Sequence, residues 1–146
     1  MAKRKPKPQP QPTCSCLLLC DDVVISHAQE KHALHGVIGA MAVPKLPAVL
    51  GGFVVYIRLS NVHATQTVNV MFKPAKDEPD AKGLWELVAQ VIQRDPLEVS
   101  TLIARVPPFQ VTEAGRYIVT AEHGGVPLAS IPVTIHNLDM ERESNP

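Results

Sequence analysis

The chain has 146 residues, 45% of them hydrophobic and 19% charged, and its 14 basic and 14 acidic side chains cancel. That length suits one domain with a proper core, so neither a disulfide nor a metal is needed merely to fold it. Fourteen prolines argue against a helical bundle, no apolar run approaches the roughly 18 residues of a membrane span, and zero net charge gives no overall pull toward nucleic acid or anionic lipid.

Residues 1–13 hold Lys3, Arg4, Lys5 and Lys7, no acid, and prolines at positions 6, 8, 10 and 12. Alternating proline neither packs a core nor joins a ladder, so an extended, solvated tail of polyproline II type is expected. The basic start followed by Cys16, Leu17, Leu18, Leu19 and Cys20 is too short and too proline-interrupted for a signal peptide. An odd count of three cysteines fits a reducing compartment better than a disulfide framework. A cytoplasmic protein with no membrane contact is the expectation.

From residue 14 onward the pattern is one of short β-branched runs between turn residues. The run 16–25, a polar turn at 26–32 and a return over 33–43 suggest two adjacent antiparallel strands. Pro44 and Pro47 interrupt the chain, and Gly51 and Gly52 precede the clearest strand, 53–60. There Phe53, Val55, Ile57 and Leu59 alternate with Val54, Tyr56, Arg58 and Ser60. The run 67–73 alternates too, with Val68, Val70 and Phe72 inward, and 74–82 is a charged surface loop. The stretch from Leu84 to Gln93 fits a helical face and a strand face equally well, and its strand neighbours and Pro96 favour strand. The run 97–106 precedes Pro107 and Pro108. The closing pair, 116–123 and 126–136, is joined by Gly124 and Gly125, which tolerate the positive φ of a primed hairpin turn. Pro127 and Pro132 imply that the last strand is an edge or enters pairing late. Residues 139–146 form a polar, acidic frayed tail.

About seven to eight short strands at near-regular spacing imply an all-β antiparallel β-sandwich spanning residues 14–138. Glu113, Ala114, Gly115, Arg116 and Tyr117, following Pro107, Pro108 and Phe109, resemble the corner of an immunoglobulin-like sandwich, where a Gly permits the turn and a Tyr opens the next strand. No Cys…Trp…Cys arrangement accompanies it, so an antibody-type domain is not implied.

A broader resemblance runs through most of the core. It is carried by Leu19, Cys20, Asp21, Asp22 and Val23, by Gly36 and Val37, and by Pro44, Lys45, Leu46, Pro47 and Ala48. The strand from Phe53 to Leu59, then Gly115, Arg116 and Tyr117, and finally Ile131, Pro132 and Val133 complete it. In their order and spacing these resemble a bacterial family of small all-β domains of unknown function. The resemblance implies a sandwich and no catalytic residue or cofactor. His32 and His35 stand where aliphatic residues are expected, and the basic tail lies outside it.

Several residues could carry chemistry. Cys14, Cys16 and Cys20 would share one face of a strand, and His27, His32 and His35 could approach them from a hairpin partner to hold zinc. No Cys-x-x-Cys knuckle is present, and a buried Cys20 among incidental neighbours explains the same residues. Asp21 and Asp22 point to opposite faces of an extended strand and do not form a catalytic pair. Ser26 with His27, Ser60 with His63, and Thr101 with Glu98 are nucleophile fragments without a Gly-x-Ser-x-Gly context. Gly51–Gly52 and Gly124–Gly125 lack the helix and lysine of a phosphate loop. The expectation is therefore a non-enzymatic binding or structural accessory module with no catalytic residue, metal or cofactor. The alternative is a metal-assisted hydrolase using the Cys/His cluster. A protein contact would use an edge strand or the loop from Pro44 to Leu50, whose apolar side chains strand alternation cannot bury; folding of that loop over one end of the sandwich to close the core accounts for the same residues. Nucleic acid is not expected beyond weak tail contacts.

Overall fold

The structure is a computed structural model that describes residues 10–28, 31–75 and 83–139. Eleven strands in three sheets carry the described chain, against the seven to eight expected. The first sheet runs in the order β2 (Lys31–Val37), β1 (Thr13–Ser26), β5 (Val54–Ser60) and β8 (Ser100–Arg105). The second runs β3 (Ala40–Val43), β11 (Val126–Asn137), β10 (Gly115–His123), β6 (Ala64–Pro74) and β7 (Trp85–Gln93). A two-stranded ribbon joins β4 (Ala48–Leu50) to β9 (Phe109–Val111). The fold is all-β, and its sheets include a curled half-barrel. It is not wholly antiparallel: β3 pairs with β11 in parallel, Thr134 opposite Ala40 through Asn137 opposite Val43.

One apolar core is built from the alternation read above. Leu17 and Leu19 of β1, Val55, Ile57 and Leu59 of β5, Val68, Val70 and Phe72 of β6, Val119 and Ala121 of β10, and Val133 and Ile135 of β11 meet in it. Each fully buried aliphatic side chain contributes about 1.5–3 kcal/mol relative to exposure. The stretch from Leu84 to Gln93 resolves as strand β7. Trp85 and Val91 face the core, whereas Ile92, which a helical face would bury, is 70% exposed. Gly124 and Gly125 both take positive φ, 58° and 79°, and close the two-residue β10–β11 hairpin with His123 opposite Val126. Pro127 and Pro132 lie on β11 before Thr134, where its β3 neighbour begins, so neither proline removes a donor from a doubly paired segment.

The expected return strand 33–43 is two strands in different sheets. Gly36 has φ 67°, Ile38 N–H donates to Leu19 C=O at 2.8 Å, and the chain then crosses at Gly39 to begin β3. The loop from Pro44 to Leu50 likewise contains a short strand, β4, and its Leu46, Ala48 and Leu50 pack partly against the core, while Val49 remains 70% exposed.

At the start of the chain, residues 1–9 of the expected tail lie outside the described residues. The rest of that segment joins the folded unit. Gln66, the buried polar residue of the core, donates from Nε2 to Pro10 C=O at 2.9 Å and accepts the His63 N–H at 3.0 Å. Asn61 donates to Gln11 C=O, and His123 Nδ1 meets Gln11 Oε1 at 2.9 Å. Pro12 is buried and Thr13 begins β1. Of the acidic end, residues 140–146 lie outside the described residues.

Candidate functional site

Strand β5 is buried on both faces. Val55, Ile57 and Leu59 enter the core, yet Val54 and Tyr56 on the opposite face are also buried. Cys20, Leu18 and Cys16 of β1 stand opposite Val54, Tyr56 and Arg58, and Arg105, Ile103 and Thr101 of β8 flank them on the other side. Side chains from the β1–β2 hairpin reach this outer face. His32 Nδ1 and the Tyr56 hydroxyl share a hydrogen bond of 2.7 Å, with their rings edge to face at 5.7 Å. Asp22 lies 3.5 Å from Arg105, which also donates to Gly52 C=O. Both members of that ion pair are solvent-exposed, so it guides the hairpin more than it stabilises it. Asp21 and Gly36 interrupt the β1–β2 ladder between the Cys20–Val37 and Asp22–His35 pairs, and Gly36 takes φ 67°. A Cβ on Gly36 would collide with the Asp21 carboxylate.

Beneath the hairpin lies a cleft of about 710 Å³. Ile25, Ser26, His27 and His32 line it from the hairpin, Arg58 from β5, and Glu98, Val99 and Thr101 from the turn into β8 and from β8 itself. Two of the nucleophile fragments, Ser26 with His27 and Thr101 with Glu98, therefore face one cavity, although they are more than 70 residues apart in sequence. Among the described residues no hydroxyl–imidazole hydrogen bond joins them, which is what nucleophile activation requires. The third fragment is structural: His63 Nε2 meets Asn61 Oδ1 at 2.8 Å and its N–H caps Gln66.

The Cys/His cluster does not assemble. A register shift between Cys14 and Cys16 puts Cys14 against the core, while Cys16 and Cys20 stand opposite outward residues of β5. An unbulged strand would have kept all three on one face, which is why spacing alone misleads here. His27 and His32 belong to the cleft, and His35 is exposed opposite Asp22. Among the described residues no group of three or more His, Cys, Asp or Glu side chains is placed to hold a metal ion. Burial pushes the Cys20 thiol above its ordinary value, with the Asp21 and Asp22 charges acting in the same direction, and burial does the same to Cys14. Asp22 accepts the Val23 N–H at 2.9 Å and reaches Arg105, whereas Asp21 sits against Gly36, so the adjacent acids do separate work.

A second concavity, a groove of about 640 Å³, is lined by residues 36–38, 40–42 and 49–53 together with Asp21. Strand β3 ends the second sheet and β2 ends the first, so both face the groove region with one edge not paired to another described strand. Among the described residues Asp21 is the groove's only charged lining residue.

Ile25, Arg58 and Val99 are the cleft residues that sequence reasoning passed over, and Arg58 is the charged one. The signal was present in Val54 and Tyr56, large side chains on the nominally outward face of β5, which mark a covered face rather than a solvated one. Among the described residues no helix is long and apolar enough to cross a membrane. The sequence model of a family of unknown function, DUF6941, matches residues 15–136. No curated protein and no solved structure is matched.

Proposed function

Starting from the chain's membership of the DUF6941 family, we propose that it is a non-enzymatic binding module that accepts an extended, largely uncharged segment of a partner protein along the free edge of β3. The observation that carries this reading is the apolar-lined groove into which that edge opens. An unpaired strand edge offers alternate backbone N–H and C=O groups to an added strand, and shallow apolar pockets beside it select side chains. Ala40 and Ala42 are small and exposed, and no Lys, Pro or bulge guards the four residues of β3. The exposed Val49 at the groove wall adds apolar area where the loop from Pro44 to Leu50 was expected to meet a partner.

The scaffold of this module is an immunoglobulin-like sandwich. The strand order β3-β11-β10-β6-β7 opposite β2-β1-β5-β8 supports it, as does the Tyr117 hydroxyl bonded back to Glu113 C=O. The three free cysteines support a reducing, cytoplasmic setting.

The test is selection of displayed eight-residue peptides on the full chain, followed by titration of the enriched sequences against wild type and Ala42→Lys. A lysine on the exposed side of an edge strand opposes strand addition without entering the core. Enriched peptides should bind wild type and lose at least tenfold affinity for Ala42→Lys at unchanged melting temperature. Equal binding to both proteins sinks the edge reading.

A further inference from the structure

The cleft beneath the β1–β2 hairpin carries a separate inference. Arg58 and Glu98 both line it, and their charges are not paired with each other or with any other described side chain. The same holds for the Ser26 and Thr101 hydroxyls and the His27 ring, none of which has a side-chain partner among the described residues. Opposite charges that share one cavity usually neutralise each other. Here β5 and the turn before β8 hold them apart, since Arg58 stands opposite Thr101 and Glu98 lies three residues earlier, in a turn fixed by its N–H donating to Asp95 C=O. Ile25 and Val99 supply apolar wall, and the Tyr56–His32 hydrogen bond fixes the hairpin side.

We propose that this cleft binds a small zwitterion, an ammonium and a carboxylate on one molecule with an apolar side chain. A guanidinium presents a planar fork that matches a carboxylate, and Thr101 stands beside it to donate a further hydrogen bond. Glu98 accepts the ammonium, and Ile25 and Val99 receive the apolar side chain. A dianion such as phosphate gains Arg58 but meets Glu98, so the cleft disfavours it. The volume of about 710 Å³ lies within the range of small-molecule sites. A free amino acid and a short peptide share this chemistry and differ in the distance between their charges.

The test uses the full chain labelled with ¹⁵N and five probes: L-leucine, N-acetyl-L-leucine, L-leucine methyl ester, leucyl-leucine and inorganic phosphate. Leucine or leucyl-leucine should shift the amide resonances of Arg58, Glu98 and Thr101, and the tighter of the two identifies the free amino acid or the peptide. Removing either charge, as in the N-acetyl and methyl ester probes, should weaken binding about tenfold, the effect of one charged hydrogen bond. Arg58→Gln should remove the carboxylate requirement and Glu98→Gln the ammonium requirement. Both residues are solvent-exposed, and matching melting temperatures will show that the variants fold. The proposal is overturned if no probe shifts those resonances, if N-acetyl-leucine binds as tightly as leucine, or if phosphate binds more tightly than either zwitterion.

Discussion

Tyr117 is 4% exposed, stacks on Phe72 with ring centroids 5.2 Å apart, and donates its hydroxyl proton to Glu113 C=O at 2.5 Å. The ring fills the core and the hydroxyl ties the corner before β10, so the two roles separate on substitution. Tyr117→Phe keeps the ring and should cost about 1 kcal/mol in urea unfolding, the net scale of one hydrogen bond. A loss of several kcal/mol would show that the hydroxyl does more than close the corner. Cys20 makes a second prediction. Its folded thiol is raised above the ordinary 9.0, chiefly by burial, while the unfolded thiol keeps the ordinary value. The folded state therefore holds its proton to higher pH, so this contribution is fully present below the unfolded pKa and is lost as pH rises past it and through the raised folded pKa. Stability should decline from about pH 8.5 upward. In the native state iodoacetamide should modify Cys16 well before Cys20, which mass spectrometry reads directly. Rapid native labelling of Cys20 would contradict the covered outer face of β5.

The β1–β2 hairpin is the element whose placement matters most for the cleft, and it is held by few contacts. His32→Ala removes the bond to Tyr56 and the edge-to-face ring contact. Hydrogen exchange should then quicken in residues 22–27 and 31–35 while β6 and β10 keep their protection, because local opening draws on local contacts. Uniform acceleration across both sheets would mean that the hairpin is part of the cooperative core. The elements themselves were legible wherever the pattern was local. The alternation of β5, the Gly124–Gly125 turn and the Tyr117 corner are written in adjacent residues, whereas the pattern of β7 fits helix and strand alike and only its strand neighbours and Pro96 favour strand. The break at Gly39, the parallel β3–β11 pairing and the hairpin lying over β5 depend on partners scores of residues away, and no local period encodes them. The cleft shows the same division. Ser26, His27, Glu98 and Thr101 stood out by type, but their convergence depends on where the β1–β2 hairpin lies against β5 and β8, which no local period encodes.

At the scale of the molecule, the segment Pro10–Thr13 links the start of β1 to the far end of the second sheet. It satisfies Gln66, whose amide is buried in the core and would otherwise lack the Pro10 C=O. A chain shortened by residues 1–9 removes only lysines, prolines, Met1, Ala2, Arg4 and Gln9, and its melting temperature should stay within a degree or two. Removing residues 1–13 also takes away buried Pro12 and orphans a buried amide donor, a loss of about 1–3 kcal/mol. For a domain of this size that shifts the midpoint by roughly 3–10 °C. Equal midpoints for the two truncations would show that water replaces Pro10 without cost.

The position of β11 sets an order of events for the chain as it is made. This strand comes last in sequence, yet it lies between β10 and β3, which are separated from each other by more than 70 residues. Until β11 leaves the ribosome, β3 has no ladder partner and the β10 edge stays open, so the second sheet exists only in part. The β1–β5–β8 ladder can form earlier, but its core-facing side chains then lack the neighbours that the second sheet supplies. A nascent chain thus carries an open edge and an incomplete apolar face until β11 has been made, and β11 closes both. Such non-local pairing belongs to the slow, millisecond-to-second class of folding reactions, because loop-closure entropy must be overcome before the distant pairing repays it.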